Sequence, residues 1–239
     1  MQHETANYSI HKGWKKPEFL AKFLGIHKRY DLITHYSLLT TIQMNLPIIA
    51  YGDPLLRKKA LDIPEDYPDL ETLIANMFDT MYNAHGVGLA APQIGLSVRL
   101  FVVDAAPFAE DDIVLKDFCK VFINAQVLEE VGDKWDFNEG CLSIPDVRED
   151  ISRKESITIS YYDENWKQHQ ETYNGLSARI IQHEYDHIEG KLFTDKLSPL
   201  RKAMLKNRLD SISKGFVKVD YKMKFPALKP GNKGGKNRR

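Results

Sequence analysis

Two cysteines in 239 residues, Cys119 and Cys141, are too few for a disulfide framework. That fits a reducing compartment, where a lone thiol is free for chemistry. No apolar run approaches the ~18 residues that a membrane span needs. No early apolar stretch leads into a small-residue cleavage site, so neither a transmembrane protein nor a secreted precursor is expected. Net charge is absent as well, with 33 basic side chains against 33 acidic ones. The balance is uneven along the chain. Residues 1–43 hold six basic and three acidic side chains, and residues 227–239 hold five basic and none acidic. Residues 44–226 are left with 22 basic and 30 acidic, a net of −8. An acidic body lacks the clustered Lys and Arg of a duplex-binding surface, which argues against sequence-specific nucleic-acid recognition. Internal repeats are missing too.

What is present is a hydrophobic share of 43%, enough for one large core. Three regions are expected: an N-terminal extension over 1–43 that stands apart from the core, a core domain over 44–226, and a basic tail over 227–239. The extension shows one short amphipathic stretch, 17–30, with Phe19, Leu20, Phe23 and Leu24 at helical spacing. Met44 opens a cleaner start, MNLPIIAYGDP, and the extension reads as the product of an upstream start codon. A transit peptide fits less well, since the stretch has one Arg and two Ser. The tail lacks the apolar content to order itself. It serves as a solvated basic end, or as a weak electrostatic dock on an RNA-rich surface such as a ribosome.

Within the core domain, Leu70, Leu73, Ile74, Met77, Phe78 and Met81 recur at three and four and predict a helix over 67–81, broken by Gly86 and Gly88. VRLFVVD at 98–104 reads as a buried strand, and 121–131 as two short strands. Ile157, Ile159 and Tyr161 alternate in a half-buried strand that 169–173 can pair with across Asp163-Glu164-Asn165. A helix follows over 176–189, with Gly190 as its C-cap glycine. A last helix has Ser198 as cap and Pro199 at its first position, and carries Leu200, Met204, Leu205, Leu209 and Ile212. Strands cluster in the middle and helices flank them, which argues for an α+β fold.

Chemistry concentrates in three segments. His183-Glu184-Tyr185-Asp186-His187 is an HExxH on the 176–189 helix. Residues four apart share a face, so both imidazoles can reach one metal ion, with Glu184 beside the first to accept a proton from its water. A solvated helix rich in His and Glu would show the same five residues. The apolar flank Ile180, Ile181 and Ile188 buries this one, and buried His and Glu need partners. A catalytic site also needs a third ligand. Position 193, where a metzincin has His, is Phe193, and Glu189 is the last Glu, so no downstream Glu can serve as in thermolysin. The third ligand comes from elsewhere or is one of Asp195, Asp210 and Asp220. Cys141, in the Gly- and Pro-punctuated run NEGCLSIP, is the candidate, although a lone Cys, like Cys119, also reads as an inert buried residue. The third segment, GVGLAAPQIG at 86–95, has no strand before it and is no dinucleotide fingerprint; on its own it is a helix-to-strand loop.

Together the segments resemble the peptide deformylase family, marked by GxGLAAxQ, EGCLS and QHExDH in that order. The chain has GVGLAAPQ at 86–93, EGCLS at 139–143 and QHEYDH at 182–187, each complete. The resemblance spans about 46–226 and looks bacterial in type. It implies small antiparallel or mixed sheets packed around a central HExxH helix, with one helix before the sheets and one at the C-terminal end. It implies that Cys141, His183 and His187 bind one divalent metal ion, with Fe2+ in the native enzyme and Zn2+, Ni2+ or Co2+ able to substitute. Glu184 is then the general base and acid, and the Gln93 amide and Leu142 N–H bind the developing oxyanion. Gly88, Gly140 and Arg148 lie near the substrate backbone, and Val87, Leu176 and Ile180 form the methionine pocket. Arg179 stands where an apolar residue would be expected. The implied activity is removal of the formyl group from the N-terminal methionine of nascent chains, releasing formate, in the cytoplasm and away from membranes. An HExxH zinc endopeptidase and a catalytically silent deformylase-like binding protein are the alternatives; the first lacks a downstream ligand, and the second has no need of Gln93, Cys141 and Glu184 together.

Overall fold

The computed structural model describes residues 44–226. The amphipathic stretch expected at 17–30 and the basic end at 227–239 lie outside them. The order is β1 (Ile48–Ile49), α1 (Leu70–Asn83), β2 (Gly88–Ala90), β3 (Leu100–Asp104), β4 (Cys119–Cys141), β5 (Ile144–Tyr162), β6 (Gln168–Asn174), α2 (Gly175–Ile188), α3 (Pro199–Ser213) and β7 (Met223–Lys224), with short 3-10 turns between. The fold is α+β: β2 to β6 form one antiparallel sheet in sequence order, and β1 and β7 pair in parallel. No helix among the described residues is long and apolar enough to cross a membrane.

The sheet is covered on both faces, and β3 shows why. All five of its residues are buried. Alternation sends Leu100 and Val102 to the face under α1, beside Met77 and Met81. Phe101 and Val103 go to the opposite face under α2, beside Ile181 and Ile188. There Phe101 and Phe122 stack with centroids 4.6 Å apart, and Tyr161 lies 4.4 Å from Phe122. A third apolar cluster joins Val147 and Ile151 of β5 to Phe193 and to Leu209 and Ile212 of α3.

Helix ends follow local chemistry. Lys191 N–H bonds Asp186 O at 2.8 Å and Gly190 N–H bonds His187 O at 3.1 Å, with Gly190 at φ +70°, a Schellman closure of α2. α1 closes the same way, but its left-handed residue is His85, at φ 57°, rather than either following glycine. Ser198 Oγ accepts from Arg201 N–H and caps α3.

Three local expectations change. The two short strands at 121–131 are part of one 23-residue strand, β4, whose register slips at several points against β5. Such bulges let a long hairpin bend, and its polar outer residues hide the continuity from a reading of hydrophobic alternation. The GxG segment is partly strand, because Gly88–Ala90 pairs with Phe101–Val103. On α3, Leu200 and Met204 are 72% and 63% exposed, so the apolar stripe is Leu205, Leu209 and Ile212. A fully enclosed ring such as Phe122 leaves a large hole when truncated. Phe122→Ala should cost about 3–5 kcal/mol, read as a lower urea midpoint at unchanged slope; a shift below 1 kcal/mol would contradict the packing described.

Candidate metal and catalytic site

Hairpin β4–β5 and helix α2 deliver the site. Cys141 is the last residue of β4, and two residues separate it from the start of β5. His183 and His187 lie one turn apart on α2, a helix buried on nearly all sides. Cys141 Sγ is 3.3 Å from His187 Nε2. One donor atom from each of Cys141, His183 and His187 lies within 4.8 Å of the others. Asp195, Asp210 and Asp220, the other third-ligand candidates, pair with Arg57, Lys214 and His85. Cys119 sits at the far end of β4 beside Tyr82.

The donor set fits a metal ion. Bonds of about 2.3 Å to sulfur and 2.0–2.1 Å to nitrogen in a tetrahedron place donors about 3.3–3.6 Å apart. His183 Nδ1 is 2.9 Å from Glu139 Oε2, so it donates there and leaves Nε2 with its lone pair for an ion. Burial depresses the His187 imidazole well below its ordinary value, keeping it neutral as a ligand must be. Burial acts against charge on His183 too, but Cys141 and Glu139 outweigh it and draw a proton to that ring. Metal binding in the same cradle therefore releases a proton.

Glu139 is the hub beneath the ligands. Arg153 grips it with two bonds, Nε to Oε1 at 2.7 Å and Nη2 to Oε2 at 2.9 Å. Arg179 Nη1 adds a third to Oε1 at 3.0 Å. Arg153 Nη1 also reaches Asp186 at 2.6 Å. Burial would raise the Glu139 carboxyl, yet the bonds to His183 and Arg153 hold it well below the usual carboxylate range. Glu139 stands directly opposite Glu149 in the hairpin. Like charges so placed repel, and Glu149 has its own counter-ion in Arg201, 2.7 Å away.

Glu184 points into the cleft beside this cradle. Burial pushes its carboxyl up to about 7, where a group can both take and return a proton. Its Oε2 has no hydrogen-bond partner among the described residues, and neither does His187 Nδ1. Orphaned buried atoms call for a partner such as a water or an ion. Gly88 makes room for it, since a Cβ there would lie 2.4 Å from Glu184 Oε1. Gln93 is held by its own turn: Oε1 accepts from Ala90 N–H at 2.8 Å, which aims Nε2 at Cys141 Sγ and Ser143 Oγ, 3.6 and 3.4 Å away.

A cleft of about 640 Å³ collects most of the residues singled out in the sequence. Gln93, Cys141, Leu142, His183 and Glu184 face it, as do Val87, Gly88, Gly140, Arg148 and Ile180. His187 lies behind, 1% exposed. Leu176 does not line the cleft; it packs against the α2 core cluster beside Val87 and Ile180. Arg179, odd in an apolar context, is explained by Glu139, by the carbonyls of Ile151 and Trp135, and by the Trp135 ring, 4.4 Å from its Cζ. Sequence reasoning did not assign Glu139, Arg153, Asp186 or Tyr221. For Arg153 a signal existed, because it shares the inward phase of β5 with Val147, Glu149 and Ile151.

Known proteins resemble this chain in sequence and fold. The family model described as polypeptide deformylase matches residues 45–203. A peptide deformylase from Christiangramia forsetii is 64% identical over 193 residues, covering 78% of this chain and 98% of its own. One from Flavobacterium psychrophilum is 58% identical over 76% of this chain and 97% of its own. The crystal structure of a peptide deformylase from Legionella pneumophila superposes with a TM-score of 0.62 at 41% identity, over 72% of this chain and 96% of that one. Loss of the Glu139 charge frees the His183 ring, so Glu139→Gln should weaken metal binding about 10–100-fold in a chelator competition. Unchanged affinity would show that the hub does not orient the ligand.

Proposed function

The chain belongs to the polypeptide deformylase family, and on that premise we propose that residues 44–226 form a metal-dependent catalytic domain whose site works through the residues grouped in the cleft. The family removes the N-formyl group from nascent peptides, and that is the activity of this chain. Cys141, His183 and His187 would hold the metal. Bound there, a divalent ion lowers the pKa of a coordinated water to roughly 7 and polarises the formyl oxygen. Glu184, lifted to about 7 by burial, takes the proton from the attacking water. It then delivers that proton to the departing nitrogen, so formate and a free amino terminus leave with the proton balance closed. Negative charge grows on the formyl oxygen, where the Gln93 amide and the Leu142 N–H donate. One such donor is typically worth about 10²–10³ in rate.

Val87, Gly88, Gly140, Arg148 and Ile180 shape the substrate side, and Leu176 supports it from the apolar cluster that holds Ile180. Arg148 lies folded over Asn138, with Nε 2.8 Å from Asn138 Oδ1, opposite Gly140. The native ion is Fe2+, which binds more weakly than Zn2+ in the usual divalent order. The setting is the cytoplasm, where formylated nascent chains arise, with the five basic residues of 227–239 as a weak dock to the ribosome.

The observation that carries this reading is a thiol and two imidazoles on one centre with the buried Glu184 carboxyl beside them. Release of free amine from formyl-Met-Ala tests it. Glu184→Ala should keep the metal and lose about 10²–10⁴ in kcat; a variant as active as the parent removes Glu184 from the mechanism. Protein loaded anaerobically with Fe2+ should turn over faster than the Zn2+ form and lose that advantage in air. Equal rates for the two would overturn that expectation.

A further inference from the structure

After α3 the chain returns over residues 216–222 to the mouth of the cleft, beyond position 203 where the family match ends. Lys218, Val219, Asp220 and Tyr221 line the cleft. The return is anchored by β7, where Met223 pairs with Ile48. Within it, the Tyr221 hydroxyl donates to the Leu142 carbonyl at 2.8 Å.

Leu142 belongs to the two-residue turn between Cys141 and Ile144. The other turn carbonyl, Ser143 O, accepts from Tyr51 N–H at 2.8 Å. Ser143 Oγ lies 3.4 Å from the Gln93 amide. A side chain at Gly86 would collide with Leu142 Cδ1 at 2.7 Å, so the turn also seats closely against the 86–88 segment. Of these restraints, the bond from Tyr221 acts directly on the residue whose N–H is assigned to the oxyanion. The carbonyl and the N–H of Leu142 lie in adjoining peptide planes hinged at one Cα, so holding the first restricts the second. An oxyanion donor must already be aimed before charge develops, because reorientation during the step forfeits much of its value.

We propose that Tyr221 is a positioning residue for deformylation: its hydroxyl holds Leu142 so that the backbone N–H meets the oxygen on which charge grows. The inference rests on the reading that the Leu142 N–H serves that oxygen.

Tyr221→Phe removes the hydroxyl and keeps the ring. Full-length protein loaded with metal is assayed on formyl-Met-Ala, with rates counted per bound metal ion so that unfolded chain does not enter. The expected result is a kcat lower by about tenfold, a fraction of a whole donor, with KM unchanged, the signature of an interaction made in the transition state alone. Lys222→Ala, exposed on the same return, should match the parent. Parent-like kcat in Tyr221→Phe overturns the proposal. So does a raised KM at unchanged kcat, which would place Tyr221 on the substrate, or an equal loss in Lys222→Ala. An inactive parent protein would instead remove the hydrolase reading itself, and this inference with it.

Discussion

A single buried carboxylate organises this protein. Glu139 sits 5% exposed between the hairpin and α2 and answers to one imidazole and two guanidiniums. An uncompensated charge at that depth would cost several kcal/mol. Its three partners come from two elements: Arg153 across the hairpin, and Arg179 and His183 one turn apart on α2. Satisfying Glu139 fixes the distance between β4 and α2, and that distance decides whether Cys141 can share an ion with the two histidines. The spacing of the metal ligands and the pairing of one buried charge thus depend on the same contacts.

The same reasoning accounts for residues that look misplaced. Arg179 on a buried face and Glu149 opposite Glu139 would each be faults in an apolar core. Both are resolved locally, Arg179 by a carboxylate, two carbonyls and a ring, Glu149 by the guanidinium of Arg201 at the first turn of α3. Arg201 thereby ties α3 to the hairpin by charge, next to the apolar seam of Leu209 and Ile212.

How far the sequence could be read follows from how local each cause is. HExxH is legible because both histidines and Glu184 share one helix, and helical spacing alone puts them together. The helices were visible from their apolar recurrence, and the β5–β6 pairing from alternation and a turn. Cys141 was legible only through its motif, since its partners lie more than 40 residues away. The Glu139 hub escaped because its role exists only once strand and helix are packed. The length of β4 escaped because its outer half is solvated on both faces, so no alternation marks it. The stripe on α3 was overdrawn, as nothing in the sequence reveals that Leu200 and Met204 face away from the core.

The two walls of the cleft differ in how they are held. α2 is enclosed by the sheet on one side and by charged partners within, so its amides are shielded until the whole domain opens. Of the opposite wall, Lys218 and Asp220 are exposed, while Tyr221 is pinned by its hydroxyl to Leu142 and packs against the α1 cluster. Hydrogen exchange by local opening is therefore expected at Lys218 to Asp220 before Tyr221. Any give in the rim is thus expected upstream of Tyr221, which leaves the metal ligands and the Leu142 turn in place as a peptide enters or leaves.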